Sequence, residues 1–526
     1  MTIVSINFAI FLAILFILYF SAEKIYTKAQ WPILLIGSYV FYLSYNPKYG
    51  LFLIFSTFLT WLFAKLINQE DRKLENQISS IADITKDEKK NLRQQTETGK
   101  LRLISVCLTC NLGLLIFLKY TNFVIGLFDI APFDWLILPL GISFYTFQSI
   151  AYTIDVYRGT IEPEKNFFKY ALYVSFFPQL CQGPIGRYSV LAPQLYANHT
   201  FDYDRFVMGL ERCLLGFFKK LVIANNLGIL VNKVYDSPSD FSGLLLTIAT
   251  FMYGIQLYAD FSGYMDIMLG IGQILGINLD ENFKTPYFSK TITEFWRRWH
   301  ISLGNWFKDY LYYPILRTKF FTDLSKNLSK KGKKQSARLL PTVLGLAVTW
   351  FLIGLWHGAS CNFMLYGLYH GSFIIFSVVL VSLSEWSKKK LKIKEESWFW
   401  KSFQILRTYI IVNLGYVLFR AADLQIAASI YSRMFSLESW YFNFYTLKNE
   451  LLFAGTDMPF WIPMIAALII LLAIELLEEF KEPFIVFLHK RFILVRWCIV
   501  YFLLLWVLSF IDNAVDAASN FLYFRF

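Results

Sequence analysis

The chain has 526 residues, of which 56% are hydrophobic and only 17% charged, with a formal net charge of +12. Soluble domains are typically about a quarter charged, so this composition excludes a string of water-soluble domains and requires a surface that faces lipid. The positive balance does not indicate nucleic-acid binding, because the Lys and Arg residues sit in loops between apolar runs, where membrane orientation accounts for them.

In chain order, apolar runs fall at about 3–20, 30–46, 50–67, 101–128, 134–157, 167–181, 207–232, 242–276, 339–356, 361–383, 403–422, 459–478 and 493–511. A bilayer crossing takes about 20 apolar residues, so the fold class is all-α and polytopic. The run at 167–181 is short for a crossing, and re-entrant or half-buried segments are expected. Residues 3–20 have no basic stretch before them and read as a span, not as a cleaved leader. Three regions follow: 1–100 with the first spans and a polar loop, 101–425 as a core, and 426–526 with further spans and an aromatic tail.

Loop charge orients these spans. Lys24 and Lys28 follow the first run, whereas residues 1–8 carry no Lys or Arg, which puts the N-terminus outside. The polar segment 68–100, with five Lys and two Arg, and the loop bearing Lys388, Lys389, Lys390, Lys392 and Lys394 mark the cytoplasmic side. Counting on through the turn at Lys490 and Arg491 delivers the C-terminus outside as well. Ends on one side need an even number of crossings, and the runs are odd in number, so at least one does not cross once. Segment 317–338 carries eight Lys or Arg against Asp323 alone. It reads equally as a positive-inside loop and as a surface that attracts an anionic ligand.

Six Cys are scattered, mostly within apolar runs. Cys107 and Cys110 form a CxxC with neither a second pair nor a nearby His, so neither zinc nor redox chemistry is expected. Five His occur. His199 in a polar loop and His489 beside Lys490 are expected to be solvated. His300, His357 and His370 each lie in or beside an aromatic stretch. His357 falls in Gly354–Leu–Trp–His–Gly358 at the end of an apolar run. An ionisable group at membrane depth marks function by default, and imidazole is suited to moving a proton near neutral pH. The flanking glycines would admit a substrate or another backbone; a His bonded to a carbonyl is the structural alternative. His370 reads as a packing residue.

Segment 291–310 reads TITEFWRRWHISLGNWFKDY. On one helix, Trp296, Trp299, Leu303 and Trp306 would form an aromatic face, and Glu294 and Arg298 would pair at i, i+4. An interfacial helix explains the aromatics but not the His among them. Asp260 and Asp266 lie in an apolar run and need partners, for which Arg297, Arg298 and Lys284 are candidates.

The order of motifs resembles the membrane-bound O-acyltransferase family, in its alginate- and peptidoglycan-acetylating branch. The matching stretches are Leu138–Pro–Leu–Gly–Ile–Ser–Phe144, Asp155–Val–Tyr–Arg158, Gln182–Gly–Pro–Ile–Gly–Arg187 and Phe218–Lys–Lys220. They continue with Leu257–Tyr–Ala–Asp–Phe–Ser–Gly263, Asn282–Phe–Lys284, Glu294–Phe–Trp–Arg–Arg–Trp–His300 and Leu355–Trp–His–Gly358. The likeness runs over about residues 30–425. It implies a ring of tilted helices, His357 as the essential histidine and His300 as the second polar position. It also implies that Arg297, Arg298, Trp299, Asp260, Asn282 and Lys284 meet the substrates. Acetyl-coenzyme A is the implied donor, with no bound cofactor and no metal. Such a site needs a base for the attacking hydroxyl and a donor for the oxyanion, which His300, an Arg or a backbone N–H could supply.

The segment Asn520–Phe–Leu–Tyr–Phe–Arg–Phe526 reads as an interfacial aromatic anchor. It also looks like the Tyr-centred motif of the accessory protein of lipoteichoic acid D-alanylation. That likeness makes Tyr523 an acyl acceptor, with His357 as its base, handing on to an extracytoplasmic serine-type (SGNH-like) transferase. The expected setting is the plasma membrane, among membrane lipid and without nucleic acid. A D-alanyl or lipid acyltransferase is the rival within the family, and a transporter or polymer exporter the rival outside it. Against a transporter stand the lack of an internal repeat and the crowding of polar residues between Asp260 and His370.

Overall fold

Helices account for the described architecture, a computed structural model covering residues 1–26, 29–81, 83–133, 135–440 and 443–510. The segment 511–526, and with it Tyr523, lies outside the described residues. Among the described residues nine helices are long and apolar enough to cross a membrane. Helices α1 (Ile6–Ile25), α2 (Gln30–Leu43), α3 (Tyr49–Ser80), α4 (Lys86–Gly126), α5 (Ile142–Tyr157) and α6 (Phe167–Ser175) come first. Next are α7 (Tyr203–Phe217), the π-helix Phe218–Ala224, α8 (Asn225–Asp236) and α9 (Gly243–Leu275). Short helices α10 (Ile292–Arg298) and α11 (Ile301–Phe307) precede α12 (Lys334–His357), α13 (Cys361–Val379), α14 (Trp398–Arg420), α15 (Met458–Phe480) and α16 (Ile493–Ser509).

The chain divides into two compact units. One comprises Met1–Leu210 with Met268–Asp280; the other takes Glu211–Ile267 and the chain from Glu281 onward. In the first, α3 packs on α4 and α5. Its runs at 3–20, 50–67 and 101–128 fall on α1, α3 and α4, which are long and apolar enough to cross, whereas the run at 30–46 gives a helix of 14 residues. The polar stretch expected as a loop is helical on both sides of residues 81–85, because it is rich in Glu, Lys, Gln and Arg, which favour helix. A capping box also starts α4: Glu88 N–H donates to the Thr85 hydroxyl at 3.3 Å, and Thr85 N–H donates to the Glu88 carboxylate at 2.9 Å. At 32 residues and 1.5 Å per residue, α3 runs to about 48 Å, longer than a hydrocarbon core of about 30 Å. Its polar half therefore projects beyond the membrane, where Lys100 ties the hairpin to Asp71 at 2.9 Å. As expected of the short run at 167–181, α6 is nine residues long, reaches about 14 Å and cannot cross. Among its described residues, the run at 134–157 is helical from Ile142.

His199 is not simply solvated. It is half-buried, a ring nitrogen lies 2.8 Å from the Gln194 carbonyl, and its backbone N–H donates to Gln30 at 2.9 Å. His489 is also half-buried. Cys107 is buried and Cys110 exposed, and both are free thiols.

The second unit is organised around a glycine seam. α12 and α13 approach so closely that a Cβ on Gly354 would fall on the carbonyl oxygen of Phe363, and one on Gly367 on that of Trp350. Small residues allow this backbone-to-backbone contact between membrane helices. Of the two readings of the glycines around His357, the structure realises the second: they receive a neighbouring helix. Gly358 is filled by the Phe363 ring.

Candidate active site

Expected as one helix, the segment 291–310 breaks at Trp299–His300. α10 ends at Arg298, His300 takes a left-handed conformation at φ 46° and ψ 54°, and α11 starts at Ile301. The cause is the chain at 282–285, distant in sequence. Lys284 N–H donates to the Arg298 carbonyl at 3.0 Å and Ile301 N–H to the Asn282 carbonyl at 3.1 Å. The Asn282 side-chain oxygen accepts the Ser302 N–H at 2.9 Å, and Phe283 and Trp299 form an antiparallel bridge. The helical hydrogen bonds lost at the break are thus replaced by a two-residue ladder. The single aromatic face is broken with it: Trp299 turns to Phe283 at 5.0 Å and stacks on Phe295 at 5.5 Å.

The break puts His300 into the core. Its ring is 2% exposed, edge-on to Phe261 at 4.9 Å and 6.1 Å from Trp356. Trp356 also meets His357 at 4.8 Å, so one indole touches both histidines. His357, 4% exposed, is the last residue of α12. Tyr366 extends the chain of rings, 5.7 Å from His357 and 4.7 Å from His370. His370 is fully buried and lies edge-on to Trp296 at 5.1 Å. The three histidines therefore belong to one aromatic cluster, and all three come from the second unit. His300 lies outside the spanning helices, and burial pulls its imidazole down to about 3, so it is neutral at physiological pH and keeps one N–H donor.

The polar residues expected to meet substrates separate into two groups. Arg298 is spent on the scaffold: one terminal nitrogen donates to Glu294 at 2.7 Å and the other to Glu479 at 2.6 Å. The expected Glu294–Arg298 pair forms, and Glu479 of α15 is the partner that sequence reasoning did not reach. The Thr285 hydroxyl donates to the same Glu479 carboxylate. Asn282 is fully buried, with its amide oxygen on Ser302 and its amide nitrogen 3.4 Å from the Met265 sulfur. Trp299 is buried among rings. In contrast, Arg297 and Lys284 are exposed, and their side chains have no hydrogen bond or ion pair among the described residues.

Asp260 and Asp266 find their partners elsewhere than expected. Asp260 pairs with Lys220, and Asp266 with Lys219 at 2.9 Å and Arg212 at 3.2 Å. The lysines stand side by side in the π-helix Phe218–Ala224, every residue of which is buried. π-Turns are rare and often mark functional sites; here one directs two consecutive cations inward, where an apolar run on α9 carries the two acids. α15 adds Glu475, whose carboxylate accepts the Tyr258 hydroxyl at 2.5 Å. The Phe218–Lys–Lys220 and Tyr258–Ala–Asp260 motifs could have suggested the pairing by complementary charge alone, but not which acid goes with which base.

A polytopic helical membrane protein with a buried histidine centre is the class this architecture defines. The signature of the membrane-bound O-acyltransferase family matches residues 161–419. The chain is 31% identical to the peptidoglycan O-acetyltransferase of Helicobacter pylori over 81% of its own length and 78% of that protein's. It is 33% identical to the probable alginate O-acetylase AlgI of Azotobacter vinelandii over 78% of this chain and 73% of that one. It is also 37% identical to the probable alginate O-acetylase AlgI of Pseudomonas aeruginosa over 63% of this chain, spanning 59% of that relative's length. The chain belongs to the membrane-bound O-acyltransferase family.

Proposed function

We propose that this chain is an O-acyltransferase that takes acetyl from acetyl-coenzyme A at the cytoplasmic face and delivers it for O-acetylation of an extracytoplasmic polysaccharide or cell-wall glycan. The observation that carries the reading is the seat of His357. It is a buried imidazole at the carbonyl end of a 24-residue helix, joined through Trp356 to a second, neutral histidine. Likeness to proteins named for O-acetylation of alginate and peptidoglycan supports acetyl as the group moved.

The tasks then divide among the named groups. His357 removes the proton from the attacking hydroxyl and, as the carbon–sulfur bond breaks, returns it to the departing coenzyme A sulfur; the charge its ring gains in between is favoured by the negative end of the α12 dipole. The His300 N–H stabilises the oxyanion that develops on the thioester carbonyl. Arg297 and Lys284, exposed cations with no partner among the described residues, attract the phosphates of the donor. Asn282, Arg298 and Trp299 hold the His300 turn, and the Asp260–Lys220 pair braces α9 against the π-helix. Tyr523 is the hydroxyl that accepts acetyl, before transfer to an extracytoplasmic serine-type (SGNH-like) partner. This route requires residue 523 to lie outside the cytoplasm, as loop charge predicts for both ends of the chain.

The test feeds labelled acetyl-coenzyme A to membranes and measures acetyl on the C-terminal peptide by mass spectrometry. His357→Ala is expected to lower transfer by about 10²–10⁴-fold, the range for loss of a general base. Tyr523→Phe is expected to abolish the labelled peptide and glycan acetylation. Normal glycan acetylation in Tyr523→Phe would rule out the carrier, and unchanged transfer in His357→Ala would rule out the enzyme.

A further inference from the structure

We propose that Phe419 sets the length of the acyl group this site transfers, closing the space beside His357 so that acetyl fits and longer chains do not. The proposal rests on the acyl-transfer reading above. The His357 imidazole is ringed by Trp356 at 4.8 Å, Phe419 at 5.1 Å, Tyr366 at 5.7 Å and Phe363 at 6.5 Å between centroids. For His357 to act as base, the attacking oxygen must come within about 2.6–3.2 Å of its nitrogen. The acyl carbon must then lie about 3–3.5 Å from that oxygen. Whatever extends beyond the carbonyl is therefore carried toward the shell that these four rings form. A methyl group is the smallest such extension, and every further methylene must displace a ring from a packed interior that leaves few voids.

The four rings differ in how freely they can move. Trp356 and His357 are adjacent on α12. Phe363 is pinned because its carbonyl oxygen lies against Gly354 and its ring against Gly358, so it shares the glycine seam of α12 and α13. Tyr366 stands on α13 beside that seam. Phe419 alone comes from α14, outside the seam, and it touches the other walls: Tyr366 at 5.0 Å and Phe363 at 5.3 Å. It is the one ring whose truncation enlarges the space without cutting into the contact that holds His357 in place. That makes Phe419 a specificity-determining residue, and no sequence motif signalled it.

The test uses the full chain in lipid nanodiscs, with acetyl-, propionyl-, butyryl- and hexanoyl-coenzyme A competing for one acceptor and products resolved by mass. The readout is the ratio of products, which a general loss of activity leaves unaltered. The wild type is expected to favour acetyl by about tenfold or more per added methylene, within the range a tight apolar pocket supplies. Phe419→Ala is expected to lower the acetyl-to-butyryl ratio by at least about tenfold, and Phe419→Leu to fall between. The leucine variant carries the test if the alanine variant does not fold. An unchanged ratio in a folded variant, or a wild type that transfers hexanoyl as readily as acetyl, overturns the proposal. A wild type that transfers from none of the four thioesters overturns the underlying acyl-transfer reading instead.

Discussion

Replacing Glu479 by Gln should impair the candidate site from a helix that lies beyond the matched family region. Glu479 and Arg298 are each about one-fifth exposed and 2.6 Å apart. Arg298 keeps its Glu294 contact at 2.7 Å after the change, so its charge is not abandoned in the interior. The loss is one charge-assisted hydrogen bond, about 1.5–3 kcal/mol, below the roughly 3–5 kcal/mol for orphaning a fully buried charge. Part of this loss reaches the chemistry, because Arg298 supplies the carbonyl that accepts from Lys284, one rung of the ladder that turns His300 inward. The assay is a double-mutant cycle of Glu479→Gln and Arg298→Gln, with kcat and KM for acetyl-coenzyme A measured in nanodiscs alongside thermal stability. If the pair is scaffold, each single change lowers kcat with little effect on KM. The double variant is then no worse than the weaker single, with a coupling of about 1.5–3 kcal/mol. A large rise in donor KM confined to Arg298→Gln, with Glu479→Gln indistinguishable from wild type, would refute the argument and return Arg298 to the substrate.

Two further outcomes follow from the same geometry. Gly354→Ala places a methyl on the Phe363 carbonyl and should destabilise the α12–α13 contact by about 1–3 kcal/mol while lowering kcat, as read by thermal unfolding and transfer assays; wild-type values for both would show that the seam yields. For His300, a group pulled to about 3 in the folded chain from about 6.5 unfolded leaves the unfolded state binding more protons as pH falls. Stability is then full above pH ~6.5 and lost progressively toward pH ~3, by up to about 2 kcal/mol at pH 5. Unfolding measured at pH 7 and pH 5 should show this slope in the wild type and a shallower one in His300→Asn; equal slopes would exclude His300 as the source.

What the sequence disclosed and what it hid divide along one physical line. Hydropathy is a local quantity, so the spans at 361–383 and 459–478 appear as α13 and α15 within a few residues. His357 stands out in the sequence for a similar reason: an ionisable residue inside an apolar run is anomalous wherever the chain folds. Pairing is not local. Nothing near Asp260 announces that Lys220, forty residues earlier, rather than Arg298 will neutralise it, since each choice satisfies the same charge. The helix break at His300 was hidden in the same way. Residues 291–310 carry a clean aromatic period, and only the backbone of 282–285, brought alongside by the fold, offers the hydrogen bonds that make the break worthwhile. Glu479 was the hardest to foresee, because it belongs to a C-terminal span whose sequence gives no hint that it reaches the Glu294–His300 motif.

That hidden ladder also explains why the second histidine is where it is. A left-handed residue other than glycine costs on the order of 1–3 kcal/mol and persists only when its surroundings over-determine it. At His300 they do: Asn282 holds Ile301 and Ser302 on the far side of the bend, while Lys284 holds Arg298 on the near side. Thr285, at the other end of the same ladder, is also left-handed, with φ 40°, so the strain is shared by two facing turns. Had the helix run on from Thr291 to Tyr310, residue 300 would have continued the face that carries Trp296 and Trp299 at its own rotational offset. The bend instead swings one imidazole away from that face and sets it edge-on to Phe261 and across Trp356 from His357. Asn282 and Lys284 therefore hold a backbone in place, which gives the Asn282–Phe–Lys284 motif a structural task at the His300 bend.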